Sequence, residues 1–553
     1  MVVAADIRTM DPDHPRATAL AIAGGRIAYV GDLEGLSAGW TAAAAISVPT
    51  GTVTPGLVDA HAHLYGLGLN AEAVALRGVA SEAEAVRVVV EAARTRPAGE
   101  WLVGRGWDQN LWAGQAYPTR APLDAAFPDR PVLLRRIDGH AAWVNGRALA
   151  AAGITRATKD PAGGQILRDA RGEPTGVLID NAADLVIDKV PAPTAAVRER
   201  RILVAAQQAV ATGLTGVHDM GIDDATAAVY ERLAAEGRLP LRVYAMLQGD
   251  ATKPARLDTP PRPAVGRFQM RGVKLYADGS LGSRGARLYA PYTDESAHQG
   301  LWVTDPATLI LLTERAVAHG WQVAVHAIGD AGVGAVLDAF TVAQAAHPGE
   351  HRLRVEHAQV IAPADLERMV PLRVIASMQP THATSDMPWA EQRLGPERIH
   401  DAYAWRAVLD RGIPLAAGSD FPIEEVAPLL GLFAAVTRTD HAGQPAGGWY
   451  PAQRLTLDEA IGAFTTGAAY AEGAEATRGT IAVGRAADLT VFDRRLDDPA
   501  GLASAQVAYT IVDGGVVYKG ALPPRTFQFN GAELGPPAGA PTRALTGALT
   551  GAP

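Results

Sequence analysis

The sequence predicts an α/β protein whose centre is a (β/α)8 barrel of the TIM type. Eight short apolar runs end in polar residues, helix-like segments separate them, and β-type runs occur at both ends of the chain. Alternating strands and helices are typical of parallel α/β folds. The eight predicted strands are 57–63, 214–219, 241–247, 273–278, 322–326, 353–357, 374–379 and 414–420.

The two ends of the chain predict one small sheet domain built from both termini. Runs 19–23 and 26–30 flank Gly24-Gly25, and runs 507–512 and 516–518 flank Gly514-Gly515; each pattern indicates a hairpin. We therefore expect a composite β-sandwich from residues 1–54 and 478–525 around a barrel at 55–477. The Gly-, Ala-, Pro- and Thr-rich stretch 526–553 is predicted to be a disordered tail.

One connection is too long for a single crossover helix. Residues from about 65 to 205 form an insertion after the first strand, and such excursions are usually functional. It contains a predicted helix at 81–94, opened by Ser81 and Glu84 in a capping box, and four of the ten tryptophans. We expect it to form a lid or pocket wall. The next helix, 194–212, should end at Gly213.

Composition excludes several classes of function. A net charge of −9, without a run of Lys or Arg, predicts no binding to nucleic acid or to an anionic membrane. The sequence shows no signal peptide and no apolar run of membrane-spanning length, so we expect a cytoplasmic protein. There is no cysteine, which excludes disulfides, thiolate nucleophiles and Cys-based zinc sites. Any metal must therefore bind His and oxygen ligands.

Several metal-binding residue types fall at the predicted strand ends. His61 and His63 are two positions apart on the first strand, so both side chains point to the same side. In a barrel, residues at the carboxyl ends of the strands meet at one face. The residues that we expect to converge there are His61, His63, Lys274, His326, His357 and Asp420.

Eight motifs carry a resemblance to a known family. They are PGLVDAHAH at 55–63, GRGWDQNLW at 104–112, DGHAAWVN at 138–145, VKLYADGSLGSR at 273–284, VHAIGDAG at 325–332, VEHAQ at 355–359, GSDFPIE at 418–424 and GRAADLTVFD at 484–493. The chain resembles the amidohydrolase superfamily, in its amidohydrolase family 3 branch, which contains N-substituted formamide deformylases. The motifs extend from near the start of the chain to about residue 520.

The resemblance implies a site for one or two divalent metal ions. His61, His63 and Asp420 would hold one ion, and His326 and His357 the other. Lys274, N6-carboxylated by CO₂, would bridge the two ions; the alternative is a lysine cation paired with a carboxylate, which leaves one ion. Zinc is the default metal for these ligands, and iron, cobalt and manganese also fit. Outside the family pattern, Asp420 could be a helix N-cap or turn residue.

The implied reaction is hydrolysis of a carbon–nitrogen bond in a non-peptide amide. A bound metal lowers the pKa of water from 15.7 to about 7, so that hydroxide attacks the carbonyl carbon, with Asp420 as general base and then acid. N-formyl or N-acyl amines are the favoured substrates. One competing function is deamination of an aminated heterocycle, although Gly329 stands where such deaminases resemble His-x-x-Glu. Another is a non-catalytic scaffold or binding protein.

Five further residues are candidates for substrate contact. Trp107, Asp108 and His140 lie in the insertion, His218 near the end of the second strand, and Arg284 after a glycine-rich turn. The tryptophans favour a small apolar or aromatic amide. Structural alternatives remain: Trp107 could be a core tryptophan, His218 a supporting histidine and Arg284 a salt-bridged arginine. The sequence also allows a homodimer.

Overall fold

The computed structural model describes residues 1–96 and 100–521, with the backbone of 527–529 and 532–534. Its centre is a sheet of eight parallel strands, which we number barrel strands 1 to 8 in chain order. They are Leu57–Ala62, Leu214–Ile222, Arg242–Gln248, Phe268–Tyr276, Gln322–Ala327, Arg354–His357, Ile375–Met378 and Leu415–Ala417. The predicted (β/α)8 barrel is confirmed. Strand 2 runs three residues beyond its predicted end, to Ile222.

The barrel closes where the ends of strands 8 and 1 meet. The Asp420 N–H donates to the carbonyl of His61 at 2.7 Å, and the His63 N–H donates to the carbonyl of Phe421 at 2.8 Å. Below them, Ser419 Oγ donates to the Asp59 carboxylate at 2.6 Å. These three bonds form the seam of the barrel.

Helices surround the barrel and follow most of its strands. Ala195–Ala211 shows why they form where they do: the Thr194 side chain caps its first turn, and Gly213, at a φ of +95°, ends it in the left-handed region. The other helices of this layer are Asp224–Ala235, Pro306–Ala318, Asp330–Ala346, Pro363–Met369, Pro380–Asp386, Ala390–Arg398, Trp405–Asp410, Pro428–Thr437, Leu457–Ala463 and Thr466–Glu472. Short 3-10 turns lie at Gln109–Leu111, Pro254–Asp258, Ile399–Asp401 and Pro451–Gln453. No helix in the described ranges is long and apolar enough to cross a bilayer.

Strands from both ends of the chain join in one mixed seven-stranded sheet. In chain order they are Val2–Arg8, Arg16–Ala23, Arg26–Gly31, Ile46–Pro55, Leu489–Phe492, Val507–Val512 and Gly515–Lys519, with helices Leu33–Gly39 and Pro499–Ser504 beside them. Of the predicted tail, Phe527–Phe529 pairs with Ala532–Leu534 as a hairpin. The rest of 526–553 lies outside the described residues.

The insertion folds around a six-stranded sheet and an apolar core of its own. Its strands are Val74–Ala75, Leu102–Trp107, Val132–Arg136, Ala141–Val144, Gly164–Arg168 and Pro174–Asp180, and its helices are Leu64–Glu72, Glu82–Ala93, Arg120–Ala126, Gly146–Ala151 and Asn181–Ile187. Ser81 caps its helix as expected, but the Glu84 carboxylate accepts from the N–H of Ala80 and not of Ser81. This unit stands over the carboxyl ends of the barrel strands and lines the cavities there.

Candidate metal centre

Two histidines and an aspartate meet directly above the seam. His63 Nε2 lies 3.1 Å from Asp420 Oδ1, and His61 Nε2 lies 3.6 Å from the same oxygen. One ligand atom from each of the three residues falls within 4.8 Å of the others. Asp420 Oδ1 is buried without a hydrogen bond from any described residue. A buried carboxylate oxygen that lacks a donor fits a bound cation, because an unpaired polar atom is costly.

Hydrogen bonds orient three of the imidazoles toward the centre. His61 Nδ1 faces the Glu356 carboxylate at 2.5 Å, and His357 Nδ1 faces Gln379 Oε1 at 2.8 Å. Because both partners are acceptors, Nδ1 carries the proton and Nε2 keeps a lone pair. His326 instead donates from Nε2 to the carbonyl of Gly279 at 3.2 Å, which leaves Nδ1 as its free acceptor.

Burial keeps these imidazoles neutral, as metal ligands must be. It lowers the pKa of His61 to about 4, with help from the charge on Lys274. It also lowers the pKa values of His326 and His357 well below the usual range. The His357 ring centroid lies 4.6 Å from both the His61 and His326 rings. The three rings therefore form one continuous group at the mouth of the barrel.

Lys274 points into the same group from barrel strand 4. Its Nζ lies 3.1 Å from His61 Nε2, and the residue is only 1% exposed. Burial lowers the pKa of the Lys274 amine to about 8, although Glu356 and Asp420 oppose this shift. An amine this close to neutrality is suited to reaction with CO₂, and ligation by a lysine requires that reaction because an ammonium offers only donors.

His382, which the sequence analysis missed, completes a second triad. Its Nε2 lies 3.8 Å from Asp420 Oδ2, and its ring stacks on His357 at 5.9 Å. His357, His382 and Asp420 each place a ligand atom within 4.8 Å of the other two. His382 Nε2 is buried with no hydrogen-bond partner among the described residues. The available signal was a histidine three positions beyond Gln379, the predicted end of the seventh strand.

A buried ionic network supports the centre from inside the barrel. Arg354 Nε donates to Glu356 Oε1 at 2.7 Å, and its NH1 donates to His218 Nδ1 at 2.9 Å. Burial opposes ionisation of Glu356, but Arg354 and His61 together lower the pKa of its carboxyl. Because strand 2 continues to Ile222, the side chain of His218 lies inside the barrel and is fully buried, where a supporting role fits it better than contact with substrate.

Two cavities open onto the centre, and both include Asp420, His140, His326 and His357 in their walls. The larger one has a volume of about 580 Å³, and we call it the polar cavity because Arg105, Arg135 and Lys274 lie in its walls. The smaller one, the apolar cavity, has about 200 Å³ and includes Leu111, Leu281 and Trp389 in its walls.

His140 and Asp108 lie at these walls. His140 Nδ1 lies 2.7 Å from Asp180 Oδ1, and its ring is 5.0 Å from the His326 ring. Burial lowers the pKa of His140, but Asp180 more than offsets this and the net shift is upward. Asp108 faces the apolar cavity and is held in an ion pair by Arg136. Both residues remain candidates for substrate contact.

The structure places two other candidate contacts, Trp107 and Arg284, outside the walls of both cavities. Trp107 is fully buried, donates from its indole to the carbonyl of Leu134 at 2.8 Å, and packs 6.0 Å from the Trp112 ring. It belongs to the core of the insertion, where a large apolar ring with one donor is stabilising. Arg284 forms an ion pair with Asp294 at 2.9 Å and lies outside the walls of both cavities.

The barrel and this site define a metal-dependent hydrolase. The profile of the amidohydrolase family matches residues 50–518, and the chain belongs to that family. It is a hydrolase of carbon–nitrogen bonds other than peptide bonds.

Three known proteins illustrate the similarity. YtcJ of Bacillus subtilis (strain 168) is 37% identical over 93% of this chain and 98% of its own length. The N-substituted formamide deformylase of Arthrobacter pascens is 30% identical over 94% of this chain and 98% of its own. The crystal structure of an uncharacterized metal-dependent hydrolase from Pyrococcus horikoshii OT3 superposes with a TM-score of 0.71 at 28% identity, covering 90% of this chain and 97% of that one.

Proposed function

We propose that this protein hydrolyses the carbon–nitrogen bond of an N-formyl or N-acyl amine, with Asp420 as the proton-transferring residue. The observation that carries the proposal is the buried, donor-free Oδ1 of Asp420 beside the imidazoles of His61 and His63. The similarity to a formamide deformylase over nearly the whole chain supports this substrate class.

The donor set fits one or two divalent ions. His61, His63 and Asp420 would hold one, and His326, His357 and carboxylated Lys274 would complete a second position. Imidazole and carboxylate ligands without thiolate suit zinc, which we propose as the metal. When bound, a divalent cation supplies a polarised carbonyl and a water whose pKa falls from 15.7 to about 7.

Asp420 then carries out two proton transfers. Asp420 takes a proton at Oδ2, the oxygen that is not assigned to the ion, as the water oxygen bonds to the carbonyl carbon, and it returns that proton to the amide nitrogen as the carbon–nitrogen bond breaks. The products are a carboxylic acid, which is formic acid for a formamide, and an amine. His140, whose pKa Asp180 raises despite burial, is placed to donate a hydrogen bond to substrate in either cavity.

Deamination finds less support in the site. A heterocycle deaminase of the expected pattern needs a glutamate three positions after His326, where this chain has Gly329. The next residue, Asp330, accepts from the backbone N–H groups of Tyr289 and Ala331 and starts the helix Asp330–Ala346. Its carboxylate is thus engaged with these two backbone N–H groups at the start of the helix.

The direct test is Asp420→Asn, which keeps the size of the side chain and removes the base. We expect the variant to bind metal, measured by elemental analysis, while kcat for N-benzylformamide falls by about 10²–10⁴-fold. The matched control is Asp410→Asn, because Asp410 is exposed at the end of a barrel helix. Wild-type turnover by Asp420→Asn, or full turnover by chelator-treated protein, would overturn the proposal.

A further inference from the structure

Two arginines of the insertion stand side by side in the wall of the polar cavity. Arg105 and Arg135 are register partners on the neighbouring parallel strands Leu102–Trp107 and Val132–Arg136. Both line the polar cavity. Like charges placed opposite each other on adjacent strands are destabilising unless something neutralises them.

No carboxylate of the described residues forms an ion pair with either arginine. Arg105 NH2 donates to the carbonyl of Ile137 at 3.0 Å, and Arg135 NH2 donates to the carbonyl of Gly139 at 2.8 Å. Arg105 Nε is buried without any hydrogen-bond partner in the described part of the chain. The adjacent Arg136 shows the contrast, because it forms ion pairs with both Asp108 and Asp138.

The other charged groups of this cavity do not supply the missing anion. Asp180 is bound to His140, and Arg198 is paired with Asp223. Asp184 lacks an ion pair among the described residues; burial raises the pKa of its carboxyl, and the charge of Arg135 opposes that shift only in part. The two guanidinium groups therefore keep their positive charge exposed to the cavity.

Gly139 faces both guanidinium groups. Gly139 has a φ of +79°, and a Cβ built on it would lie 3.5 Å from the NH2 atoms of both Arg105 and Arg135. Burial, and then repulsion by Arg135, lowers the pKa of Arg105 to about 9. A bound anion would relieve this repulsion, because charge-assisted hydrogen bonds to guanidinium are strong and planar.

We propose that Arg105 and Arg135 bind a carboxylate of the substrate, so that the preferred substrate is an amide that carries an acidic group. This inference rests on the proposed function. A carboxylate suits the cavity better than a dianionic phosphate, because Asp138, Asp180 and Asp184 share its walls. Its binding makes Arg105 and Arg135 specificity-determining residues.

The position of the pair matches such a substrate. Lys274, His326 and Asp420 line the same cavity, so an acid held by the arginines places the rest of the molecule at the metal centre. The apolar cavity, which also includes Asp420 in its wall, offers Leu111, Leu281 and Trp389 to an uncharged group. An amide between an acidic half and an apolar half would use both cavities.

Matched substrates test the charge preference. The metal-loaded protein is assayed with N-formylphenylalanine and its neutral counterpart N-formylphenethylamine, and with N-benzylsuccinamic acid and its neutral counterpart N-benzylbutyramide. We expect at least one acid to exceed its counterpart in kcat/KM by about tenfold or more, mainly through KM. Equal kcat/KM within both pairs would overturn the inference and leave amide hydrolysis itself intact. No hydrolysis of any of the four would overturn the proposed function.

Arginine variants then identify the binding residues. Arg135→Met and Arg105→Met should lower kcat/KM for the preferred acid by about 10- to 100-fold, with less than about threefold change for the neutral amide. Arg105→Lys should restore part of the loss. The matched control is Arg147→Met, because Arg147 is an exposed arginine of the same insertion. Equal losses for the acid and the neutral amide would contradict carboxylate binding.

A binding measurement that needs no turnover accompanies the kinetics. Phenylalanine serves as the calorimetric probe of the wild-type protein, with phenethylamine as the matched probe that lacks the carboxylate. We expect the carboxylate probe to bind at least about tenfold more weakly to Arg135→Met. Unchanged affinity in a folded Arg135→Met protein would overturn the assignment.

Discussion

The substitution Glu356→Gln is the most informative single change in the support of the metal centre. Glu356 joins two systems: its Oε2 holds His61 Nδ1 at 2.5 Å, and its Oε1 accepts from Arg354 at 2.7 Å. All three residues are fully buried. Glutamine keeps the shape and one acceptor but removes the charge, so Arg354 loses its buried counter-ion while His61 keeps a weaker partner.

Glu356→Gln should lower both the folding stability and the metal affinity. Removing one partner of a buried ion pair costs about 3–5 kcal/mol of folding stability. We expect the low end of this range because Arg354 keeps bonds to the carbonyl of Ala60 at 2.6 Å and to Ser377 Oγ at 3.0 Å. Loss of an outer partner of a metal-bound imidazole weakens metal affinity by about 10- to 100-fold.

The assay separates these two effects. Denaturant unfolding of the metal-free protein measures stability, and competition with a chelator of known affinity measures metal binding. The control is Glu397→Gln, because Glu397 is exposed on a barrel helix. If Glu356→Gln matched the wild-type protein in both measurements, the reasoning that Glu356 orients His61 and neutralises Arg354 would be wrong.

Three further predictions concern other parts of the molecule. The pKa of Lys274 is about 8, and only the neutral amine reacts with CO₂. The ¹³C carbamate signal of metal-free protein in labelled bicarbonate should therefore rise as the pH increases through 8. A signal that stays constant over this range would contradict the prediction. His382→Asn should lower kcat/KM at least about tenfold, while the exposed control His14→Asn should not. If kcat/KM of His382→Asn equalled that of the wild-type protein, His382 would have no role in the reaction. Trp107→Phe should cost about 1–3 kcal/mol in unfolding free energy and leave KM within about twofold, whereas a large change in KM would return Trp107 to the substrate site.

The barrel could be predicted because its strands are short apolar runs that end in polar residues. That pattern also placed His326 and His357 at the ends of neighbouring strands, where the structure has them. His382 escaped prediction because it lies on a helix after strand 7, where no two-residue repeat marks a ligand. A site that draws residues from a strand, a loop and a helix has no single period in the sequence.

Other residues depended on register or on local strand length. Three extra residues at the end of strand 2 were enough to turn His218 from a rim residue into part of the barrel interior. Arg105 and Arg135 face each other because two strands of the insertion pair in parallel, and no local motif in the sequence indicates the register of that pairing. Trp107 has its ring in the core of the insertion, and a motif alone does not say which face of a sheet carries the ring.

The seam of the barrel makes the metal centre a late product of folding. Asp59 and Ser419 lie 360 positions apart in the chain, and Asp420 bonds through its backbone to His61. A growing chain that has not yet produced strand 8 therefore holds His61 and His63 without their shared carboxylate. A cation retained at this carboxylate bridges the first and last strands of the barrel, so its affinity reports whether the whole ring of strands is closed.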